Sequence, residues 1–183
     1  SEKNMHGLQI WVALPKDLEQ MDPEFFHVDQ EQIPAWTEGD IQFKLIAGEA
    51  FGKKSAVPVY SKLFMIEIKS TTKQVLNLGH HLYGESGLYI LEGSIESDGN
   101  VYQPKQLLVT KESSLCQFTI QASSTIYIFG GESFPEERFI DWNFVSSRKE
   151  LIEEAKRKWI AQKFDKIKGD EAEFIPYPLL IKK

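Results

Sequence analysis

The stretch Gly79-His80-His81-Leu82-Tyr83-Gly84-Glu85 brings two imidazoles and one carboxylate within seven positions. These side-chain types hold first-row transition metals, and a redox metal so held would carry the chain's hardest chemistry. Spacing argues against a complete set. On a regular strand neighbouring side chains point to opposite faces, so His80 and His81 cannot both enter one interior. Strand sites usually place two histidines at i and i+2, and here Gly79 stands two before His81. Glu85 shares the face of His81 only if the strand stays regular through Gly84. A mononuclear site commonly takes at least three protein ligands, and no histidine follows His81 in the chain. His80, His81 and Glu85 are therefore read as candidate binding residues at a strand entry. No catalytic residue and no metal ligand is assigned.

The rest of the chain offers less chemistry. His6 and His27 stand alone, in a strand-like run and a polar connector, where surface or packing roles are expected. Cys116 is the single cysteine. A lone thiol closes no internal disulfide and builds no multi-cysteine zinc site, so it reads as a small buried hydrophobe. Gly130-Gly131 follows a strand but lacks the lysine of a phosphate-binding loop. Tyr83-Gly84-Glu85-Ser86-Gly87 has its serine one position away from a nucleophile elbow.

The elements that must position these groups are mostly short strands. "VYSKLFMIEIKS" alternates, with Phe64, Ile66 and Ile68 on one face and Glu67 and Lys69 on the other. "KQVLNL", "GLYILEGSIE", "QLLVTK", "LCQFTIQ" and "STIYIFGG" follow, separated by Gly, Ser, Asn, Asp and Pro. Asp98-Gly99 marks a hairpin turn. Ile41 to Ala47 forms a strand running into a glycine-marked turn, and His6 to Pro15 is expected as a strand that Pro15 stops. Such spacing implies an antiparallel sandwich or barrel. "SSRKELIEEAKRKWIAQKF" reads as a helix. Ser147 and Glu150 have capping-box spacing, and Leu151, Ile152, Ala155 and Trp159 form an apolar stripe expected to dock on the barrel. Glu153–Arg157 and Glu154–Lys158 form i,i+4 pairs. The tail after Gly169 should be extended.

Composition sets outer limits. With 183 residues the chain suits one domain, or one and a half. The formal charge is −6, so direct nucleic-acid binding is not expected. No apolar run approaches the roughly 20 residues of a membrane span. The polar first residues do not resemble a secretory leader, which makes the cytoplasm the expected compartment.

"GLQIWVALP", "LIAGEAFGKKS", "LYILEGSI", and "IYIFGGESF" leading into "WNFVSSRKELIEEAKRKW" resemble, in order and spacing, the pirin family of the cupin superfamily. The resemblance runs from His6 to about Phe164 and implies an all-β, cupin-type antiparallel jelly-roll barrel with one C-terminal α-helix. Residues 1–32 would be a connecting strand and linker, 33–145 the second barrel of a two-barrel pirin, and 146–183 the closing helix and tail. The family's first barrel holds iron through an H-x-H pair and a later H-x-E pair, and some members cleave quercetin with dioxygen. When that barrel's strand is laid on Tyr89-Ile90-Leu91-Glu92-Gly93, the H-x-H falls on Gly79-His80-His81, where His81 alone fits. The H-x-E falls near Phe118-Thr119-Ile120, without ligands. Glu85 falls on a family glutamate that is not an iron ligand. The resemblance thus implies the metal-free barrel, with no cofactor, acting as a structural or interaction domain. A homodimer or a partner barrel is the expected association. The alternative is an iron-dependent, quercetinase-like dioxygenase.

Overall fold

Alternating apolar side chains build two antiparallel sheets in the unit spanning Asp22–Ser133. The structure, a computed structural model, describes residues 7–110, 117–169 and 171–178. His6 and Cys116 lie outside the described residues. The strands of this unit are β1 (Ala35–Glu38), β2 (Ile41–Ala50), β3 (Lys53–Lys54), β4 (Leu63–Ser70), β5 (Gln74–Asn77), β6 (Glu85–Glu92), β7 (Ile95–Ser97), β8 (Asn100–Tyr102), β9 (Leu107–Thr110), β10 (Gln117–Ile120) and β11 (Ser124–Gly131). One sheet has the order β1-β2-β4-β11-β6-β9, with β3 paired to β2; the other has the order β5-β10-β7-β8. The crossed order is that of a jelly roll rather than a meander.

Register explains the core. Leu45, Ile66, Ile128 and Leu88 face one another across β2, β4, β11 and β6, and all four are fully buried. Phe43, Ile68, Ile126 and Ile90 form the adjacent row. Leu76, Phe118, Ile120 and Ile95 of the second sheet complete the core cluster. Each such side chain contributes about 1.5–3 kcal/mol on burial. The expected face of Phe64, Ile66 and Ile68 is the buried one. The expected hairpin joins β7 to β8, with Asp98 and Gly99 at φ 51° and 75°, the two positive values that a type I′ turn needs.

The chain up to Met21 groups with the chain from Phe134 onward as a second compact unit. It contains the hairpin β12 (Phe139–Asp141) and β13 (Phe144–Ser146), and the helix α1 (Lys149–Ile160). Trp142, Phe144 and Trp159 meet edge to face, and Trp159 Nε1 donates to Ile175 O at 2.8 Å. Ile152 of the expected helix stripe is buried; Leu151, Ala155 and Trp159 are half-buried. No helix among the described residues is long and apolar enough to cross a membrane.

Three expectations are corrected here. The segment Gly7–Pro15 joins no sheet among the described residues. Alternation alone gave it the look of a strand, but a strand needs a neighbour to pair with. The helix is shorter than its periodic pattern, and Ser147 does not cap it: the N-cap is Arg148, without a side-chain bond. Glu19 takes Ser147 instead. One Glu19 oxygen accepts from Ser147 N at 2.7 Å and lies 3.1 Å from Arg138 Nε, while the other accepts from Ser146 Oγ at 2.7 Å and Ser147 Oγ at 3.1 Å. Glu153 pairs with Lys156 at 3.0 Å, whereas Glu154–Lys158 forms as expected at 2.8 Å.

The Glu19 cluster is almost out of solvent, with side-chain exposures of 7% for Glu19 and 12% for Arg138. Burial alone would raise the Glu19 pKa, but the bonds from Ser146 and Ser147 and the Arg138 charge outweigh it and hold the carboxyl below its ordinary 4.5. Glu19→Ala strips Ser146 and Ser147 of their acceptor and takes from Arg138 the more buried of its two carboxylate partners, Glu136 remaining at 2.9 Å, and is expected to cost about 3 kcal/mol in chemical denaturation. Because the folded pKa is the lower one, this contribution is present above the ordinary carboxylate pKa and is lost as pH falls through the folded value. The gap between parent and variant should therefore narrow on acidification. A gap that stays constant down to acid denaturation would contradict the assignment.

Candidate functional site

His80 and His81 lie on a turn between β5 and β6, closed by His81 N donating to Leu78 O at 2.9 Å. Strand alternation therefore does not govern them, contrary to the sequence reading. Both are exposed. The His81 ring stacks on Phe51, with centroids 4.3 Å apart and planes 15° apart. Glu85 is exposed at the start of β6, opposite Gly131 of β11. His80, His81 and Glu85 do not form a metal-binding group, and no three His, Cys, Asp or Glu side chains assemble as one among the described residues.

The family's iron can be tested against the interior itself. The facing rows from Leu45 to Leu88 and from Phe43 to Ile90 fill it with hydrocarbon, and Phe118 and Ile120, where the second ligand pair would fall, are both buried in the core. Iron is held by nitrogen, oxygen or thiolate donors, so these residues do not fit it. The buried side-chain polar atom lacking a hydrogen-bond partner among the described residues is Ser86 Oγ, one weak donor rather than a ligand set.

What His81 does join is a cleft of about 350 Å³ lined by Glu38, Phe43, Phe51, Gln74, Asn77 and His81 among others. Phe43 and Phe51 of its wall belong to an aromatic cluster completed by Trp36. Trp36 stacks on Phe43, its register partner across β1 and β2, at 5.1 Å, and Phe51 lies 5.5 Å from Trp36 and 5.6 Å from Phe43. On a straight strand, at about 3.3 Å per residue, Phe43 and Phe51 would stand about 26 Å apart. The chain must therefore bend, and it does so where the β2–β4 register shifts between Leu45 and Ala47 and at Gly48, φ 73°. Phe51 and Gly52 then turn the chain into β3 with φ 54° and 65°. Glycine suits that conformation, but phenylalanine does not. Its ring contacts with Trp36, Phe43 and His81 are what hold it there.

Sequence reasoning reached His81 but missed Trp36, Phe43 and Phe51. The available signal was the Phe51-Gly52 pair after an apolar strand, which marks a turn without saying where the ring goes. Behind the lining residue Glu38, Trp36 Nε1 donates to Glu38 Oε1 at 2.9 Å, and Lys53 Nζ sits 5.0 Å from the Trp36 ring centroid. Gln74 Nε2 is turned toward Thr72 Oγ1 at 3.2 Å.

Two antiparallel sheets around an apolar interior, with one helix, define an all-β jelly-roll protein of the cupin type. Residues 65–165 match the Pirin C-terminal cupin domain, and the chain belongs to the pirin family. It is 41% identical over 175 residues to a pirin-like protein of Caulobacter vibrioides, covering 95% of this chain and 60% of that one. It is 29% identical over 159 residues to a putative quercetin 2,3-dioxygenase of Pseudomonas aeruginosa, covering 86% of this chain and 50% of that one. The chain thus spans 60% and 50% of the lengths of these two relatives. A crystal structure of quercetin 2,3-dioxygenase from Acinetobacter baumannii superposes over 94% of this chain and 58% of its own, with TM-score 0.78 and 23% identity. That likeness shows the fold.

Proposed function

We propose that this chain serves as a structural and interaction barrel, without a metal centre of its own, that supports a partner barrel or a second copy of itself. The observation that carries this reading is the hydrocarbon filling of the barrel, where a metal-bearing barrel would turn donors inward. The contact surface is supplied by the exposed run Leu8, Ile10, Trp11 and Val12. Large apolar side chains clustered in the open mark interaction surface more often than idle surface.

The alternative is dioxygenase chemistry of the kind named for the Pseudomonas relative. Elemental analysis of the purified chain after dialysis separates the two. The expected result is far less than one transition metal per chain, and no oxygen uptake with quercetin on adding iron. Close to one iron per chain, lost on His81→Ala, together with iron-dependent oxygen uptake that disappears on Glu85→Ala, would reverse the assignment.

A further inference from the structure

We propose that the cleft beside His81 binds a small, neutral aromatic molecule carrying an amide-like donor and acceptor. This stands apart from the metal question, because the cleft, whose floor is the core residues Ile41, Phe43, Leu76 and Leu78, needs no ion. Three observations point to that ligand class.

The first is size. A volume of about 350 Å³ is at the lower end for small-molecule sites, enough for one or two rings and not for a peptide or a long chain. The second is the wall. Phe51 is kept at φ 54° with its ring among Trp36, Phe43 and the His81 imidazole. A residue held in an unfavourable backbone region is a recognised mark of a ligand-shaping position. His81 is exposed although stacked, so its ring offers a flat surface to a second aromatic ring. The third is the rim. With its Nε2 directed to Thr72, Gln74 keeps its carbonyl oxygen as an acceptor. The Glu38 carboxylate is a further acceptor, and the Asn77 amide can donate. A ring bearing one N–H and one C=O matches this mixture. An anionic ligand does not, because the Glu38 carboxylate lines the cleft.

The probe is 4-hydroxybenzamide, and the control is cyclohexanecarboxamide, which keeps the amide and lacks the aromatic face. Both are titrated into the isotope-labelled chain and followed by amide and imidazole NMR shifts. The expected result is saturable movement of the signals of His81, Gln74 and Asn77 with 4-hydroxybenzamide, at a Kd of about 1 mM, and none with the control. His81→Ala and Phe51→Gly should each weaken binding about tenfold. Phe51→Gly is chosen because glycine accepts the positive φ, so the hairpin keeps its backbone while the wall is lost. If that variant nevertheless unfolds, His81→Ala, on an exposed turn, decides alone. Equal binding of the saturated control, shifts that map elsewhere, no saturable shift at about ten times the expected Kd, or full binding by a folded Phe51→Gly chain would each overturn the proposal.

Discussion

Gly84→Ala is expected to destabilise the Asp22–Ser133 unit by about 4 kcal/mol, the sum of an unfavourable backbone conformation and a forced contact. Gly84 sits at φ 65°, and a Cβ there would lie 1.9 Å from Gly131 O and 2.5 Å from Gly131 C. These are main-chain atoms and cannot swing aside as a side-chain tip would. They belong to β11, which pairs with β4 on one side and β6 on the other, so moving them disturbs two ladders at once. The reciprocal contact is as close: a Cβ on Gly130 would stand 2.1 Å from Glu85 O. Gly99→Ala is the control, since Gly99 has φ 75° and nothing within 4 Å of the added carbon. It should cost about 1 kcal/mol, for conformation alone. Urea denaturation of the two variants measures the difference. Equal losses would mean that the β6–β11 approach relaxes freely and that Gly84 is merely a turn residue.

The same glycine shows what was legible in the sequence. "GHHLYGESG" drew attention for its histidines and glutamate, yet in the fold Gly84 is its most constrained residue, because its neighbour is a strand more than forty positions away. Features set by nearby residues were readable. Phe64, Ile66 and Ile68 announce a buried face by alternation alone, and Asp98-Gly99 announces a turn by its φ values. Features decided by distant partners were not. Ser147 has sound capping chemistry, but Glu19 outbids the helix for it. Trp142 turns β12 into β13 at φ 53°, where tryptophan carries none of the signal that glycine or asparagine would. β1 and β3 are too short for periodicity to reveal. Within the candidate site, His81 was visible as a chemical type. The stacking that gives it a place depends on a bend at Gly48 and on a phenylalanine thirty positions earlier.

The proposed association makes the other large expectation. Leu8 is 43% exposed, Ile10 38%, Trp11 58% and Val12 56%. The segment is held at its far end, where Arg138 Nη2 donates to Leu14 O at 3.0 Å, and Gly7–Pro15 takes no ladder partner among the described residues. An apolar, unpaired run of this kind is a template for pairing with another chain. Two copies, each laying this run against the other, would cover it symmetrically, and closed two-fold dimers are the commonest homo-oligomers. Light scattering at micromolar concentration is therefore expected to give the mass of two chains. Trp11 has the character of an interface anchor, a large aromatic in the middle of the run. Leu8→Ser with Trp11→Ser should remove about 4 kcal/mol of association energy, a weakening of about a thousandfold. Micromolar samples of the double variant should then scatter as single chains, with the barrel's denaturation midpoint unchanged because neither side chain belongs to its core. Removing residues 1–14 should give the same monomer, or aggregate if further apolar surface is bared. A soluble monomer of the intact chain would overturn the homodimer and leave the run to a separate partner barrel, which titration with that barrel would then have to demonstrate.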